Sequence, residues 1–440
     1  MPFSLPTTAT APFCPSQVRG SVPVPSDGGW RKRLIRSAGP GLLVAVGYMD
    51  PGNWATDIEA GSRYGYDLLF VVLLCGAAAI FLQWLAARLG IVGRRDLAQM
   101  AREQYSRRAC LTLWALAELA IIATDVAEVL GAALAFNLLL GVPLWAGVLL
   151  TGLDTVIVLS LKGHGFRQLE AIVLGLILTI AACFAAQLAI APPDAAGLLH
   201  GAVPSLAALG QPHALYLAVG ILGATVMPHN LYLHSSVVQT RQSTRVDEGE
   251  TRQALRFATA DTVVSLALAT FVNAAILCLA ASTFHAHGFA QVAEIEDAYR
   301  LLTPITGAGA ATLLFGIALF ASGQSATFTG TVAGQVVLEG FLNLTIPCWQ
   351  RRIITRGLAL IPALAGVLWL GDHAVGRLLV LTQVVLSLQL PFAIWPLIRF
   401  TADRSIMGSF ASGAAVQALA WGLFVLIAAA NLWLVWNWLV

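Results

Sequence analysis

Long apolar runs, separated by short polar segments, follow one another along most of the chain. Each run holds roughly 20 residues, which is the length that a helix needs to cross ~30 Å of hydrocarbon. We therefore predict an all-α membrane protein with eleven spanning helices, numbered here as spans 1 to 11. Span 8 is too long for one crossing, so its first part is expected to be an external helix. The approximate bounds are 39–65, 67–92, 110–140, 144–162, 168–192, 213–240, 255–282, 301–342, 350–369, 376–399 and 412–438.

The chain before span 1 has a different pattern. Residues 1–28 contain six prolines and little periodic hydrophobicity, which is typical of a disordered segment. We predict a disordered cytoplasmic tail over 1–38, followed by a single membrane domain over 39–438.

Two spans are interrupted by proline and polar residues in the middle of the apolar run. Span 1 contains the tetrapeptide DPGN at 50–53, and span 6 contains MPHN at 227–230. Proline removes a backbone donor and clashes with the preceding turn, so each helix is expected to break there. At membrane depth a break is tolerated only where it lines a cavity within the protein. Matching interruptions in two halves of a chain point to the binding site of a transporter.

The positions of the breaks also predict the topology. Spans 1–5 (39–192) and spans 6–10 (213–399) form two sets of five, each opening with a broken helix. Because five is odd, the second set must cross the membrane upside down relative to the first. This 5+5 inverted repeat is the leucine-transporter fold, with span 11 (412–438) as an addition.

Basic residues predict the orientation. With the N-terminus in the cytoplasm, 22 of the 25 Lys and Arg residues fall in the tail and the cytoplasmic loops. Only Arg63, Arg300 and Arg377 fall outside. Such an asymmetry is the positive-inside pattern. It favours eleven spans in a cell (inner) membrane, with the C-terminus outside.

Composition narrows the class of protein. The chain is 58% hydrophobic and 11% charged, whereas soluble domains carry about 25% charged residues. Six cysteines show no CxxC or CxxH spacing, so a thiolate metal site is not supported. No HExxH, GxSxG or P-loop motif occurs, and we expect no enzyme activity and no prosthetic group. No nucleic-acid partner is expected, and the chain is expected to be a monomer.

The two breaks bring together donors that suit a transition-metal ion. A carboxylate at the bilayer centre, such as that of Asp50, is costly and by default functional, and Asn53 lies one turn further on. Met227 offers a soft thioether, which favours transition metals over Mg²⁺ and Ca²⁺. The unwound turn before Met227 frees the carbonyl of Ala224. The alternatives are a buried acid paired with a helix end or an arginine, a capping asparagine and a packed methionine.

A second set of polar residues predicts proton transfer. Glu118, Asp125 and Glu128 of span 3 occupy one third of the helix circumference at 100° per residue. Carboxylate chains of this kind within a membrane mark proton relays, and His229, beside the break in span 6, can titrate near neutral pH. The alternatives are pairing of the acids with neighbouring helices and a capping or packed imidazole at His229.

Four segments carry a resemblance to a known family. They are DPGNWATDIEAGSRYG (50–65), ATVMPHNLYLHSSVVQTR (224–241), GQSATFTGTVAGQVVLEG (323–340) and LTQVVLSLQLPFA (381–393). These segments closely resemble the natural resistance-associated macrophage protein (Nramp) family over essentially the whole of 39–438. The resemblance implies proton-coupled import of divalent transition metals, in bacteria chiefly Mn²⁺ with Fe²⁺, Co²⁺ and Cd²⁺ as further cargo.

The resemblance also implies residue roles. Metal ligands would be Asp50, Asn53, the Ala224 carbonyl and Met227, and Gln383 would join them when the site closes. A proton route would run from Asp50 and His229 past Asp125 and Glu128 towards basic residues of span 9. Those residues are Arg351 and Arg352, for which ordinary positive-inside charge is the alternative.

Two further classes of function stay open on the sequence. The same fold could carry an organic solute such as an amino acid, although Asp50 would repel a substrate carboxylate. A metal-sensing membrane protein is the other possibility, and it would typically carry a sizeable soluble domain.

Overall fold

The computed structural model describes residues 19–24, 29–153, 166–241, 247–344, 346, 348–371 and 375–439, without the side chains of 348, 349, 352, 370, 438 and 439. Throughout these residues the regular structure is helical. In chain order the α-helices are α1 Trp30–Ser37, α2 Pro40–Gly47, α3 Pro51–Tyr64, α4 Leu69–Val92, α5 Leu97–Gln104, α6 Arg107–Leu140, α7 Leu144–Leu150, α8 Phe166–Ile190, α9 Ala195–Gly201, α10 Pro212–Thr225, α11 Pro228–Val237, α12 Glu248–Thr283, α13 Ile295–Thr306, α14 Gly309–Leu342, α15 Cys348–Leu370, α16 Val375–Ala402, α17 Arg404–Met407 and α18 Ala414–Leu439.

Eight helical segments of the described chain are long and apolar enough to cross a membrane. They are Leu69–Val92, Arg107–Leu140, Phe166–Ile190, Pro212–Arg241, Glu248–His287, Gly309–Leu342, Val375–Ala402 and Ala414–Asn437. Two shorter apolar helices, Leu144–Leu153 and Ile353–Trp369, accompany them. The prediction of an all-helical, multi-pass membrane protein is confirmed.

Both predicted breaks are present. Helix α2 ends at Gly47 and α3 begins at Pro51, while α10 ends at Thr225 and α11 begins at Pro228. Each proline stands at the first position of its helix, where its missing N–H would have had no helical partner. Proline therefore ends one half-helix and starts the next at both sites.

The membrane helices approach each other closely at these breaks. A Cβ atom on Gly131 of α6 would lie 2.1 Å from Cγ of Pro51. One on Gly223 of α10 would lie 2.0 Å from the carbonyl oxygen of Gln383 in α16. Only glycine leaves room for such close packing. As a result α6 and α16 pack directly against the broken helices.

Two predicted bounds need correction. The predicted span 8, 301–342, divides at Gly307, whose φ of 68° ends α13 and separates it from α14. Residues 301–306 thus belong to a separate amphipathic helix, in line with the external helix expected there. Of the predicted span 4, residues 154–162 lie outside the described residues.

The prediction of disorder over 1–38 is wrong for part of that stretch. Residues Trp30–Ser37 form a helix with an amphipathic, basic sequence. The amides of Gly20 and Val22 donate to the carbonyls of Gln239 and Thr240, both at 3.0 Å. Residues 20–22 therefore pack against the end of span 6, because their backbone amides are hydrogen-bonded there. Residues 1–18 and 25–28 lie outside the described residues.

Candidate metal site

Asp50 and Asn53 form the first half of the site. Asp50 is fully buried, and its Oδ1 accepts from the backbone N–H of Asn53 at 2.9 Å and from Asn53 Nδ2 at 2.7 Å. The cap of α3 is therefore Asp50 and not Asn53. Within the described chain Oδ2 of Asp50 has no hydrogen-bond partner, and no basic side chain pairs with this carboxylate. One carboxylate oxygen is consequently left for a cation.

The second half of the site comes from span 6. Asn53 Nδ2 also donates to the carbonyl of Ala224 at 3.1 Å, so Asp50, Asn53 and Ala224 share one hydrogen-bonded group across the two breaks. The Asn53 amide nitrogen lies between two oxygen acceptors, Asp50 Oδ1 and the Ala224 carbonyl. The same two oxygens would attract a cation. Metal ligation by Asn53 requires its side chain to turn and present Oδ1 instead.

Met227 lies in the same break and is fully buried. Its sulfur accepts from Asn230 Nδ2 at 3.7 Å. A Cβ atom on Gly47, the last residue of α2, would lie 2.3 Å from that same nitrogen. Asn230 thus sits between the thioether and the end of the first half-helix, so Met227 faces the break in span 1.

Gln383 of α16 covers the first turn of α3. A Cβ atom on Gly52 would lie 1.7 Å from Gln383 Nε2, and that nitrogen donates to Thr382 Oγ1 at 3.1 Å. Oε1 of Gln383 is buried and has no hydrogen-bond partner in the described part of the chain. Its amide oxygen is therefore a further free acceptor close to Asp50 and Asn53.

Two polar residues that the sequence did not single out complete the surroundings. Asn273 of α12 donates from Nδ2 to the carbonyl of Tyr48 at 2.8 Å and to Oδ1 of Asn53 at 3.2 Å. Ser322 of α14 donates to the carbonyl of Met49 at 2.5 Å. Both carbonyls are freed by the break in span 1. An asparagine and a serine inside apolar spans were the available signal.

The site holds a single carboxylate, and its other donors are amide and carbonyl oxygens and a thioether. Across the described residues no cluster of three or more His, Cys, Asp or Glu side chains could hold a metal. The mixed donor set suits an ion that accepts both oxygen and sulfur.

His229 connects the metal site to α6. It is buried, and its Nδ1 lies 3.3 Å from Thr124 Oγ1. The neighbouring Asp125 and Glu128 are buried as well. A Cβ atom on Gly330 of α14 would lie 2.8 Å from Glu128 Oε1 and 3.1 Å from Asp125 Oδ1. The two carboxylates thus flank one glycine. They follow Thr124, the residue of α6 that His229 contacts, by one and four positions.

Two arginines of α15 meet these acids. Arg351 Nη2 lies 2.5 Å from Glu118 Oε1, and Arg356 Nη1 lies 3.8 Å from Glu128 Oε2. Both arginines are 5% exposed. A solvated positive-inside charge therefore does not describe Arg351, and Glu118 pairs with a basic group on a neighbouring helix.

The predicted basic end of the route changes in one respect. The side chain of Arg352 lies outside the described residues, and Arg356, which the sequence analysis did not name, reaches the deeper carboxylate. Its Nη2 also lies 3.4 Å from Thr327 Oγ1. The spacing of Arg351 and Arg356 on an apolar helix was the only signal in the sequence.

Comparisons with known proteins identify the family of the chain. The natural resistance-associated macrophage protein-like model matches residues 41–437. The "Divalent metal cation transporter MntH" of Ralstonia nicotianae is 63% identical over 434 residues, which cover 99% of this chain and 98% of that protein.

Solved structures include a relative at 38% identity and a more distant protein that shares the fold. A manganese transporter from Eremococcus coleocola has a TM-score of 0.88 at 38% identity, covering 95% of this chain and 89% of that one. Mhp1, a nucleobase-cation-symport-1 family transporter, has a TM-score of 0.59 at 15% identity, with 98% and 92% covered. The second likeness concerns the fold alone. The chain belongs to the Nramp family.

Proposed function

We propose that this chain imports divalent transition-metal ions, with Mn²⁺ as the principal cargo and Fe²⁺, Co²⁺ and Cd²⁺ as further cargo, together with protons. The observation that carries the proposal is the buried group of Asp50, Asn53 and the Ala224 carbonyl, which joins the two broken helices. Relatives described as a divalent metal cation transporter and a manganese transporter support it.

The architecture behind this function is a 5+5 inverted repeat of leucine-transporter type. Repeat one covers 39–192, repeat two covers 213–399, and 412–438 adds an eleventh span. Support comes from the breaks in the first helix of each repeat and from the fold shared with Mhp1. The distribution of Lys and Arg supports a cytoplasmic N-terminus and an outer C-terminus in the cell (inner) membrane. We infer a monomer that acts without a prosthetic group or a nucleic-acid partner.

Metal binding would use the free oxygen of Asp50, Oδ1 of Asn53, the Ala224 carbonyl and the Met227 sulfur. Asp50 supplies the negative charge, which at an effective dielectric of about 20 is worth ~4 kcal/mol for each unit of charge 4 Å away. Met227 disfavours Mg²⁺ and Ca²⁺, which demand oxygen ligands. Gln383, which already covers Gly52 in this structure, would add its free Oε1 to the ligands.

The enclosed site suits alternating access. Asp50 and Met227 have no exposed surface, so cargo bound there is separated from both sides of the membrane. The unwound residues 48–50 and 226–227 provide hinges at which each half-helix can tilt. Opening of one pair of half-helices at a time would expose the same ligands to one side.

The proton would leave Asp50 when the metal arrives. From there it would pass by His229 and Thr124 to Asp125 and Glu128, and then towards Arg356. Support comes from the 3.3 Å contact between His229 and Thr124 and from the 3.8 Å contact between Glu128 and Arg356. Arg351 and Glu118 would form the outlet of this route.

Uptake of radioactive Mn²⁺ into proteoliposomes with an inward proton gradient tests the proposal. The intact chain should accumulate Mn²⁺ and acidify the lumen, and Asp50→Asn should abolish both. Asp297→Asn is a matched control, because Asp297 is an exposed acid in α13. Accumulation of an amino acid without Mn²⁺ uptake would favour the organic-solute alternative. An equal rate of Mn²⁺ uptake with and without the proton gradient would contradict proton coupling.

A further inference from the structure

A pocket of about 350 Å³ lies between α4, α12 and the turn at Gly408–Phe410. It is lined by Trp84, Arg88, Leu255, Arg256, Thr259 and Phe410. These residues include two arginines and no acid. The two arginines indicate that this end of the helices faces the cytoplasm. None of the residues that line the pocket belongs to the breaks in spans 1 and 6.

One arginine of the pocket is fixed in place. The guanidinium of Arg88 donates to the carbonyl of Phe410 at 2.5 Å and to Ser412 Oγ at 3.3 Å. Its central carbon lies 4.4 Å from the ring centre of Trp84, a cation–π distance. Arg88 therefore ties the turn before α18 to α4 and gives the pocket a rigid positive wall.

The other arginine is available to a ligand. Arg256 is exposed, and we find no side-chain partner for it among the described residues. One turn earlier, Arg252 is paired with Glu248 at 2.7 Å. Glu248 also lies beside Ser409, at 3.3 Å, so this acid next to the pocket is already neutralised by Arg252. The pocket keeps its positive charge.

Arg256 ends an apolar stripe that faces outward from α12. Ala260 is exposed one turn further on, and Val263, Val264 and Phe271 are 42%, 69% and 52% exposed. Spacings of four, seven and eight residues keep these side chains on one side of the helix. Since the stripe faces lipid tails in a bilayer, Arg256 lies at the level of the lipid headgroups.

We propose that this pocket binds the headgroup of an anionic phospholipid from the cytoplasmic leaflet. The phosphate would lie between Arg256 and Arg88, since guanidinium groups bind phosphate oxygens in pairs. Thr259 can donate one more hydrogen bond. Trp84, Leu255 and Phe410 would contact the glycerol and the first methylenes of the tails. A lipid bound there would join α4, α12 and the turn before α18.

Native mass spectrometry of the full chain tests this proposal. The protein is equilibrated in micelles with equal amounts of phosphatidylglycerol and phosphatidylcholine, and the retained lipid is measured. The intact chain should retain phosphatidylglycerol in preference. Arg256→Gln should lower that preference about fivefold, since a basic residue near a membrane surface is worth ~1 kcal/mol to anionic lipid. Arg256→Lys, which keeps the charge but loses the fork, should give an intermediate value.

Arg108→Gln is the matched control, because it removes an equal charge from an exposed position at the start of α6, outside the pocket, and breaks no ion pair among the described residues. It should leave the preference unchanged. An equal fall for Arg108→Gln and Arg256→Gln would overturn the proposal in favour of a general surface potential, and no fall for Arg256→Gln would overturn it outright. Displacement of phosphatidylglycerol by millimolar inorganic phosphate would also overturn it, because it would indicate a site for free phosphate.

Discussion

The ion pair between Glu118 and Arg351 gives a sharp test of what the carboxylates of α6 do. Arg351 Nη2 and Glu118 Oε1 are 2.5 Å apart, and the side chain of Glu118 is 14% exposed and that of Arg351 is 6% exposed. Removal of one member of a buried pair leaves the other charge without a partner, which costs ~3–5 kcal/mol. Because Glu118 keeps some contact with solvent, we expect about 3 kcal/mol for either Glu118→Gln or Arg351→Gln.

The double replacement should recover most of that loss, because it leaves two neutral amides and no unpaired charge. The free energy of unfolding in mixed micelles, measured for the four members of the cycle, gives the coupling energy. The exposed pair Arg95–Glu103, at 2.9 Å with 45% and 43% exposure, serves as control and should couple by less than ~1 kcal/mol. A coupling at Glu118–Arg351 no larger than in the control would refute the reasoning from burial.

Proton entry in the same double variant separates the two roles of the pair. If Glu118 and Arg351 form the outlet of the proton route, the refolded double variant should bind Mn²⁺ normally but admit protons slowly. If they only join α6 to α15, proton entry should return together with stability. The second outcome would remove both residues from the route.

Three further predictions follow from the site and its surroundings. Met227→Ala should weaken Mn²⁺ binding by about tenfold, ~1.4 kcal/mol, and strengthen competition by Ca²⁺ in a binding titration; unchanged competition would mean that the sulfur only packs. Asp125→Asn with Glu128→Gln should abolish metal-driven proton entry, followed with a pH-sensitive dye, and keep Mn²⁺ affinity within about threefold, ~0.7 kcal/mol; an equal fall in both would indicate a packing role. Burial raises the pKa of Asp96, the cap of α5, to about 7, above the ~3.9 of an unfolded chain. The melting temperature should therefore fall as the pH rises from 4 to 7. Asp96→Asn should flatten this dependence of the melting temperature on pH.

The sequence predicted the breaks well, because their cause is local. Pro51 and Pro228 stand inside apolar runs next to polar residues, and proline there removes a helical hydrogen bond. Proline alone is not sufficient, because α15 and α16 continue through Pro362, Pro391 and Pro396. Periodicity and charge likewise predicted the long helices, since length and apolarity decide membrane insertion. The length of span 8 indicates a separate first helix, but this amphipathic lead-in is continuous with the membrane helix in hydropathy, so the sequence does not show the boundary that Gly307 sets.

The partners of the site residues could not be predicted in the same way. Asn273 lies 220 residues from Asn53, and one asparagine in an apolar helix does not indicate which helix it faces. Arg356 was overlooked in favour of Arg351 and Arg352 because charge alone does not show which arginine turns inward. The docking of residues 20 and 22 on span 6 depends on backbone contacts, which a proline-rich composition conceals.

The position of bound Mn²⁺ tests the central claim most directly. Crystals of the full chain grown with Mn²⁺ and measured near the manganese absorption edge would locate the ion by its anomalous scattering. We predict one strong peak between the two breaks, within ~2.0–2.6 Å of oxygen atoms of Asp50, Asn53 and Ala224 and in contact with the Met227 sulfur. A strong peak elsewhere, or one at the breaks without Asp50 among its ligands, would contradict the account.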